Sequence, residues 1–230
     1  MKISDDMAKF LKEKKDVKKS RIFLVEDHPV FRDGLSKLLN AESDLTVCGE
    51  AGDARQALKS IIKLKPDLMV VDLGLPGKSG LELIKEIRAL KLVIKLLAVS
   101  MFDEAVYAQR VLRAGGDGYI MKQEDPEEIV HAIRDVLAGH IYVSEEVFAK
   151  GPSKQPSKKK TGSLDLLTDS ELEVLESLGQ GKSAEEISRQ GGLSSAEVNT
   201  HSNSIRRKLK LKNINALIRY AVCWVEDSRK

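Results

Sequence analysis

The 230-residue sequence predicts a doubly wound parallel α/β domain followed by a small all-α domain of four helices. Three observations carry that reading. Between residues 21 and 143, five short apolar runs alternate with five amphipathic patterns. The stretch Lys150 to Ser163 then contains no apolar residue at all. Beyond it come four patterns of helical period and no convincing strand.

The first strand is Ile22-Phe-Leu-Val25, closed by Glu26-Asp27. Pro29 suits the first turn of a helix with apolar positions at Val30, Phe31, Leu35, Leu38 and Leu39. Leu45 to Gly49 reads as a second strand and Ala54 to Leu64 as a second helix. Leu68 to Val71, bounded by Pro66 and by Pro76-Gly77, is a third strand buried on both faces that ends on Asp72. A helix runs from the Gly77-Lys-Ser-Gly80 loop to about Leu90. Val93 to Val99 is expected as the fourth strand, ending at Ser100. The next helix, Glu104 to Ala114, stops at the glycine pair Gly115-Gly116. Gly118 to Met121 is a short fifth strand that delivers Lys122, and Asp125-Pro126 opens a last helix to about Ala138. Strand and helix in alternation specify a flavodoxin-like (βα)5 sheet of order 2-1-3-4-5, with strands 1 and 3 adjacent at its centre.

In the carboxyl-terminal part, three helices open on capping boxes: Thr168 with Glu171, Ser183 with Glu186, Ser194 with Glu197. Gly191-Gly192-Leu193 connects the second to the third, which makes a helix-turn-helix. Val198, Ile205 and Leu209 share a buried face of the third helix and leave Asn199, Thr200, Asn203, Arg206 and Arg207 outward. The domains expected are a basic extension at residues 1–20, the α/β domain at 21–143, a solvated linker at 144–165 and the helical domain at 166–230.

The formal net charge of +3 announces neither a nucleic-acid partner nor a membrane. Local clustering says more: Arg206, Arg207, Lys208, Lys210 and Lys212 face only Glu197 between residues 196 and 212. No apolar run is long enough to span a bilayer, and the amino terminus lacks a signal-peptide core. Cys48 and Cys223 form neither a disulfide framework nor a metal site and read as buried, inert thiols of a cytoplasmic protein.

In open α/β sheets ligands bind beyond the carboxyl ends of the strands. Alone, Asp72 would read as a turn or helix-cap carboxylate. Its company changes that, because Glu26 and Asp27 lie at the end of the adjacent strand, with Ser100 and Lys122 at the next two. Three gathered carboxylates require a cation, and an all-oxygen site suits Mg²⁺ better than zinc. An aspartate beside Mg²⁺ can attack a phosphoryl group, with Lys122 and the Ser100 hydroxyl holding the transferred oxygens.

Glu26-Asp27, Asp72-Leu-Gly-Leu-Pro, Ser100 and Gly118-Tyr119-Ile-Met-Lys122 resemble the signature of two-component receiver domains. Leu167 to Leu175, Val198-Asn-Thr-His201 and Arg207-Lys-Leu209 resemble a LuxR-type helix-turn-helix. Together they resemble a response regulator of the NarL/FixJ class over about residues 21–226. The resemblance implies a non-enzymatic regulator phosphorylated on Asp72 by a sensor histidine kinase. It implies that Glu26, Asp27, Asp72 and the Gly74 carbonyl serve Mg²⁺, that Ser100 and Tyr119 form a switch pair, and that Lys122 contacts the phosphoryl group. It implies an output domain that binds promoter DNA as a dimer formed on phosphorylation. The DNA-facing set is then Lys182, Ser194, Ser195, Asn199, Thr200, His201, Asn203, Arg206, Arg207 and Lys208.

The sequence departs from the family at Glu197-Val198-Asn199, where threonine, valine and lysine are frequent, at Ser202, where an apolar residue is usual, and at Met101, where many receivers have a small residue. These departures motivate a second reading, an output domain that binds a protein partner. A third, a Mg²⁺-dependent phosphatase with a nucleophilic aspartate, is opposed by Gly74, which stands where such enzymes place an acid–base aspartate. His28 reads as a solvated turn residue rather than a phosphorelay histidine.

Overall fold

The computed structural model describes residues 19–144, 147, 164–191 and 193–227. Most of the extension expected at 1–20, the linker stretch 150–163 and Gly192 of the connector lie outside the described residues. Five parallel strands stand in the order β2-β1-β3-β4-β5: β1 (Ser20–Val25), β2 (Leu45–Ala51), β3 (Leu68–Val71), β4 (Lys95–Ser100) and β5 (Gly118–Met121). The helices α1 (Pro29–Ala41), α2 (Ala54–Leu64), α3 (Gly80–Ala89), α4 (Glu104–Ala114) and α5 (Pro126–Leu137) cover both faces. One apolar layer joins α1 and α5 to the sheet through Leu35, Leu39, Ile129 and Ile133. The other joins α2, α3 and α4 to it through Ile61, Ile84 and Val111. A β3 of four consecutive buried residues is what a sheet covered on both faces demands.

Three expectations are corrected. The fourth strand starts at Lys95, which pairs with Leu68, the first residue of β3; Val93 has no strand to pair with there and is fully exposed. Val30 is 87% exposed, because a residue so close to the start of α1 projects past the sheet. Cys223 is exposed and Cys48 only partly buried, since Cys223 lies off the buried stripe of its helix, set by Leu217, Ala221 and Val225.

The second unit comprises a 3-10 turn (Leu164–Leu166), α6 (Asp169–Gly179), α7 (Ala184–Gly191), α8 (Ser195–Lys208) and α9 (Ile214–Asp227). All three expected capping boxes form: the N-cap hydroxyls accept from the backbone N–H groups three residues on, and the glutamates reach back. Ser202, buried at a position where an apolar residue is usual, donates its hydroxyl to the Val198 carbonyl at 2.8 Å. The polar atom is thereby satisfied within its own helix.

The two units share one apolar cluster, running from Val71 and Ile84 of the α/β unit to Leu172, Leu175 and Ala221 of the helical one. Arg110 on α4 donates to the carbonyls of Leu164 and Leu167 and to Asp169 Oδ1 at 2.7 Å. Lys85 on α3 donates to Asp169 Oδ2 at 2.6 Å, and Tyr107 Oη to Glu176 Oε2 at 3.1 Å. Helix α6 is therefore seated on α3 and α4.

Candidate functional site

Backbone hydrogen bonds continue the sheet just past its strands and fix the residues that follow. The Asp72 N–H donates to the Val25 carbonyl at 2.9 Å, the Glu26 N–H to Ala51 at 3.0 Å and the Lys122 N–H to Ser100 at 2.9 Å. Helix α3 starts close behind: a Cβ on Gly80 would lie 2.0 Å from the Asp72 carbonyl oxygen. Only glycine fits there, and the close approach holds the Asp72 turn against the helix.

Glu26 and Asp72 are each 4% exposed and Ser100 is wholly buried. Lys122 Nζ lies 2.6 Å from Glu26 Oε2 and 2.8 Å from Asp72 Oδ2, with the Phe31 ring centroid 4.8 Å away. Asp72 Oδ1 accepts from the Gly74 N–H at 3.1 Å. Burial raises the Asp72 carboxyl above its ordinary range, with Glu26 adding to the effect and Lys122 opposing it. Burial works against the charge on Lys122, yet Asp72 and Glu26 together hold its ammonium above the usual value.

Ligand atoms of Glu26, Asp27, His28 and Asp72 all lie within 4.8 Å of one another. Asp27 Oδ1 is buried and has no aligned donor, although His28 Nδ1 lies 2.9 Å from it. A buried carboxylate oxygen without a hydrogen bond, among two further carboxylates, is a donor set that could hold a hard divalent cation. His28, read from the sequence as a solvated turn residue, is 71% exposed at its side chain yet sits 3.0 Å from Glu26 Oε1. Its position immediately after the acidic pair was the available signal.

Tyr119 is fully buried and donates its hydroxyl to the Phe102 carbonyl at 2.6 Å. The Phe102 N–H donates in turn to Ser100 Oγ at 3.3 Å. Met101 is 52% exposed and lines a cleft between the units with Asp103, Gln123, Glu176 and Trp224.

The second candidate surface is on α8. Ser194, Ser195, Asn199, Thr200, Asn203 and Arg207 are exposed; His201, Arg206 and Lys182 are half-buried. One expectation is corrected: Lys208 does not point outward, because its Nζ is bound to Glu171 Oε2 at 2.6 Å. Burial opposes the ionisation of Glu171, but bonds from Lys208, Ser204 and the Thr168 N–H hold it down at about 2. Charge clustering counted Lys208 without seeing that partner. The contacts of Tyr107 and Arg110 to α6 were missed as well. Glu173 and Glu176, set among Leu172, Val174, Leu175 and Leu178, were the readable sign that this helix buries carboxylates.

Residues 22–134 match the response regulator receiver domain family, and residues 165–221 match the bacterial regulatory proteins of the luxR family. The chain is 30% identical to the nitrate/nitrite response regulator protein NarL of Escherichia coli over 90% of this chain and 95% of that protein. It is 33% identical to the oxygen regulatory protein NreC of Staphylococcus aureus, over 88% and 96% respectively. Among solved structures, a LuxR-family two-component response regulator from Aurantimonas sp. SI85-9A1 superposes with a TM-score of 0.54 at 35% identity, over 58% of this chain and 95% of that one. RcsB of Salmonella enterica serovar Typhimurium, bound to the rprA promoter, gives a TM-score of 0.66 at 24% identity over 89% and 99%.

Proposed function

The chain belongs to the response regulators that join a receiver domain to a LuxR-type DNA-binding domain, and on that footing we propose that Asp72 is its phosphoacceptor. The observation that carries this is the meeting of Asp72, Glu26, Asp27 and Lys122 where β1, β3 and β5 end. Residues 21–143 form the receiver, and the output domain begins with the 3-10 turn Leu164–Leu166.

Glu26, Asp27, Asp72 and the Gly74 carbonyl would hold Mg²⁺, whose chemistry there would be to supply positive charge among the carboxylates. The donor is the phosphohistidine of a sensor histidine kinase. A carboxylate oxygen of Asp72 attacks phosphorus; the new O–P bond forms as the P–N bond breaks, and the imidazole leaves with the electron pair and takes a proton. Lys122, already against Asp72 and Glu26, turns its ammonium to a phosphoryl oxygen, and the Ser100 hydroxyl donates to another. Ser100 and Tyr119 act as the switch pair, a role supported by their bonds to the N–H and the carbonyl of Phe102, respectively. The output domain binds promoter DNA through α8 as a dimer, and the half-exposed Ile214 and Ile218 of α9 support a dimer contact on that helix.

Asp72→Asn keeps the size of the side chain but removes the nucleophile. Labelling of the full chain by radiolabelled acetyl phosphate with Mg²⁺ is expected in the parent and absent in the variant. Undiminished labelling of the variant overturns the assignment.

A further inference from the structure

Helix α8 turns a defined stripe away from its core. Val198, Ser202 and Ile205 are buried; opposite them, at the spacing of one helical face, stand Ala196, Asn199, Thr200, Asn203 and Arg207, all exposed. Glu197 lies on the flank, where the Ser194 N–H and hydroxyl bind its carboxylate at 2.8 and 2.7 Å. The stripe is therefore uncharged until its last turn.

What these residues present is specific. Asn199, Asn203 and Arg207 exchange no side-chain hydrogen bonds with the described residues, so both amides are available in full. Thr200 donates its hydroxyl to the Ala196 carbonyl at 2.8 Å, which leaves its methyl as the group that meets a base. In the major groove an amide pairs with adenine, accepting from N6–H and donating to N7. A side-chain methyl lies well against the thymine C5-methyl. Guanine is read by arginine or lysine through O6 and N7. The basic candidates here stand elsewhere: Lys208 is held by Glu171, Arg206 donates to the Lys212 carbonyl, and Arg207 is at the far end of a helix whose amino-terminal residues reach the bases.

Resting on the DNA-binding reading of α8, we propose that this helix selects A·T base pairs, with Asn199 and Asn203 each reading an adenine, the Thr200 methyl against a thymine, and Arg207 on phosphate. The two asparagines are four residues apart, about 6 Å along the helix, which corresponds to roughly two base steps at about 3.4 Å each. The half-site thus carries two A·T pairs two steps apart.

The test uses the full chain with Mg²⁺ and acetyl phosphate at one fixed salt concentration. Duplexes selected from a randomised pool are expected to hold A·T at those two positions. In the selected site, 7-deazaadenine at either position removes N7, and deoxyuridine for thymidine removes the methyl. Disrupting either asparagine–adenine pairing is expected to weaken binding about tenfold. Asn199→Ala should become indifferent to 7-deazaadenine at one position while staying sensitive at the other. A selected site with G·C at these positions overturns the inference, as does a preference unchanged in both Asn199→Ala and Asn203→Ala. Failure to capture any duplex overturns the DNA-binding reading itself, and this inference with it.

Discussion

Glu176 makes the seating of α6 on the receiver sensitive to pH. Its carboxyl is 7% exposed and meets the hydroxyl of Tyr107, which is 1% exposed. Burial pushes Glu176 up to about 8; the Tyr107 hydrogen bond opposes this, Asp103 and Glu173 add to it, and Lys182 opposes it weakly. Released into water, the same carboxyl returns to about 4.5. The seated state therefore holds a proton that the released state gives up. Its stabilisation is complete below about 4.5 and is lost as pH rises through about 8. Each pH unit in that window weakens the seating by about 1.4 kcal/mol, so that at pH 7 it is weaker than at pH 4.5 by on the order of 3 kcal/mol. Glu176→Gln keeps an oxygen to accept from Tyr107 and needs no proton. The variant should therefore tighten the seating at pH 7 and remove the part of its pH dependence that Glu176 carries, leaving the part from Glu173, which burial pushes up to about 7 on the same helix. Trp224, the single tryptophan of the sequence, lines the cleft beside Glu176, and its fluorescence during urea titration reports release of the output unit. Parallel pH profiles for the parent and Glu176→Gln would refute the reasoning.

Lys122→Ala leaves Glu26 and Asp72 without their buried counter-charge and should destabilise the receiver by about 3–5 kcal/mol; thermal melts should show Mg²⁺ restoring more stability to the variant than to the parent. Arg110→Ala removes the donor to Leu164, Leu167 and Asp169. The expected destabilisation is on the order of 2 kcal/mol, because Lys85 still pairs with Asp169, and Trp224 should report it as a lower urea midpoint. Gly80→Ala places a Cβ against the Asp72 backbone and should cost at least the ~3 kcal/mol of a badly overpacked core, measured by urea unfolding, with slower acetyl phosphate labelling of Asp72.

The sheet was legible because β1, β3, β4 and β5 are short apolar runs that end on, or lead straight into, a polar residue. The site was legible for the same reason, since Glu26-Asp27, Asp72, Ser100 and Lys122 are those terminal residues. Val93 misled because an apolar letter beside a strand reads as strand, whereas the register with β3 starts only at Lys95. Lys208 misled because a count of charges does not reveal Glu171, 37 residues away in sequence. The seating of α6 was hidden more deeply. It depends on carboxylates whose ionisation burial opposes, and Glu176 and Tyr107 are 69 residues apart, with nothing in either local pattern to name the other.

The Asp72 end of the sheet and the α6 seat meet at Phe102. Its N–H donates to Ser100 Oγ and its carbonyl accepts from Tyr119 Oη, so both proposed switch residues are bonded to the backbone of one residue. Its ring centroid lies 4.8 Å from that of Tyr107, the residue that reaches Glu176. Contiguity alone is not coupling; a coupled element needs two arrangements that both ends bias. On the receiver side, Phe102 is tied to the site by the hydrogen bond from its N–H to Ser100 Oγ at 3.3 Å, so a turn of that hydroxyl toward a phosphoryl oxygen would re-aim the acceptor. On the output side, its ring bears on Tyr107, whose hydroxyl meets the buried Glu176 carboxyl. Phe102 therefore stands in contact both with the proposed switch residues and with the tyrosine that meets Glu176 in the α6 seat.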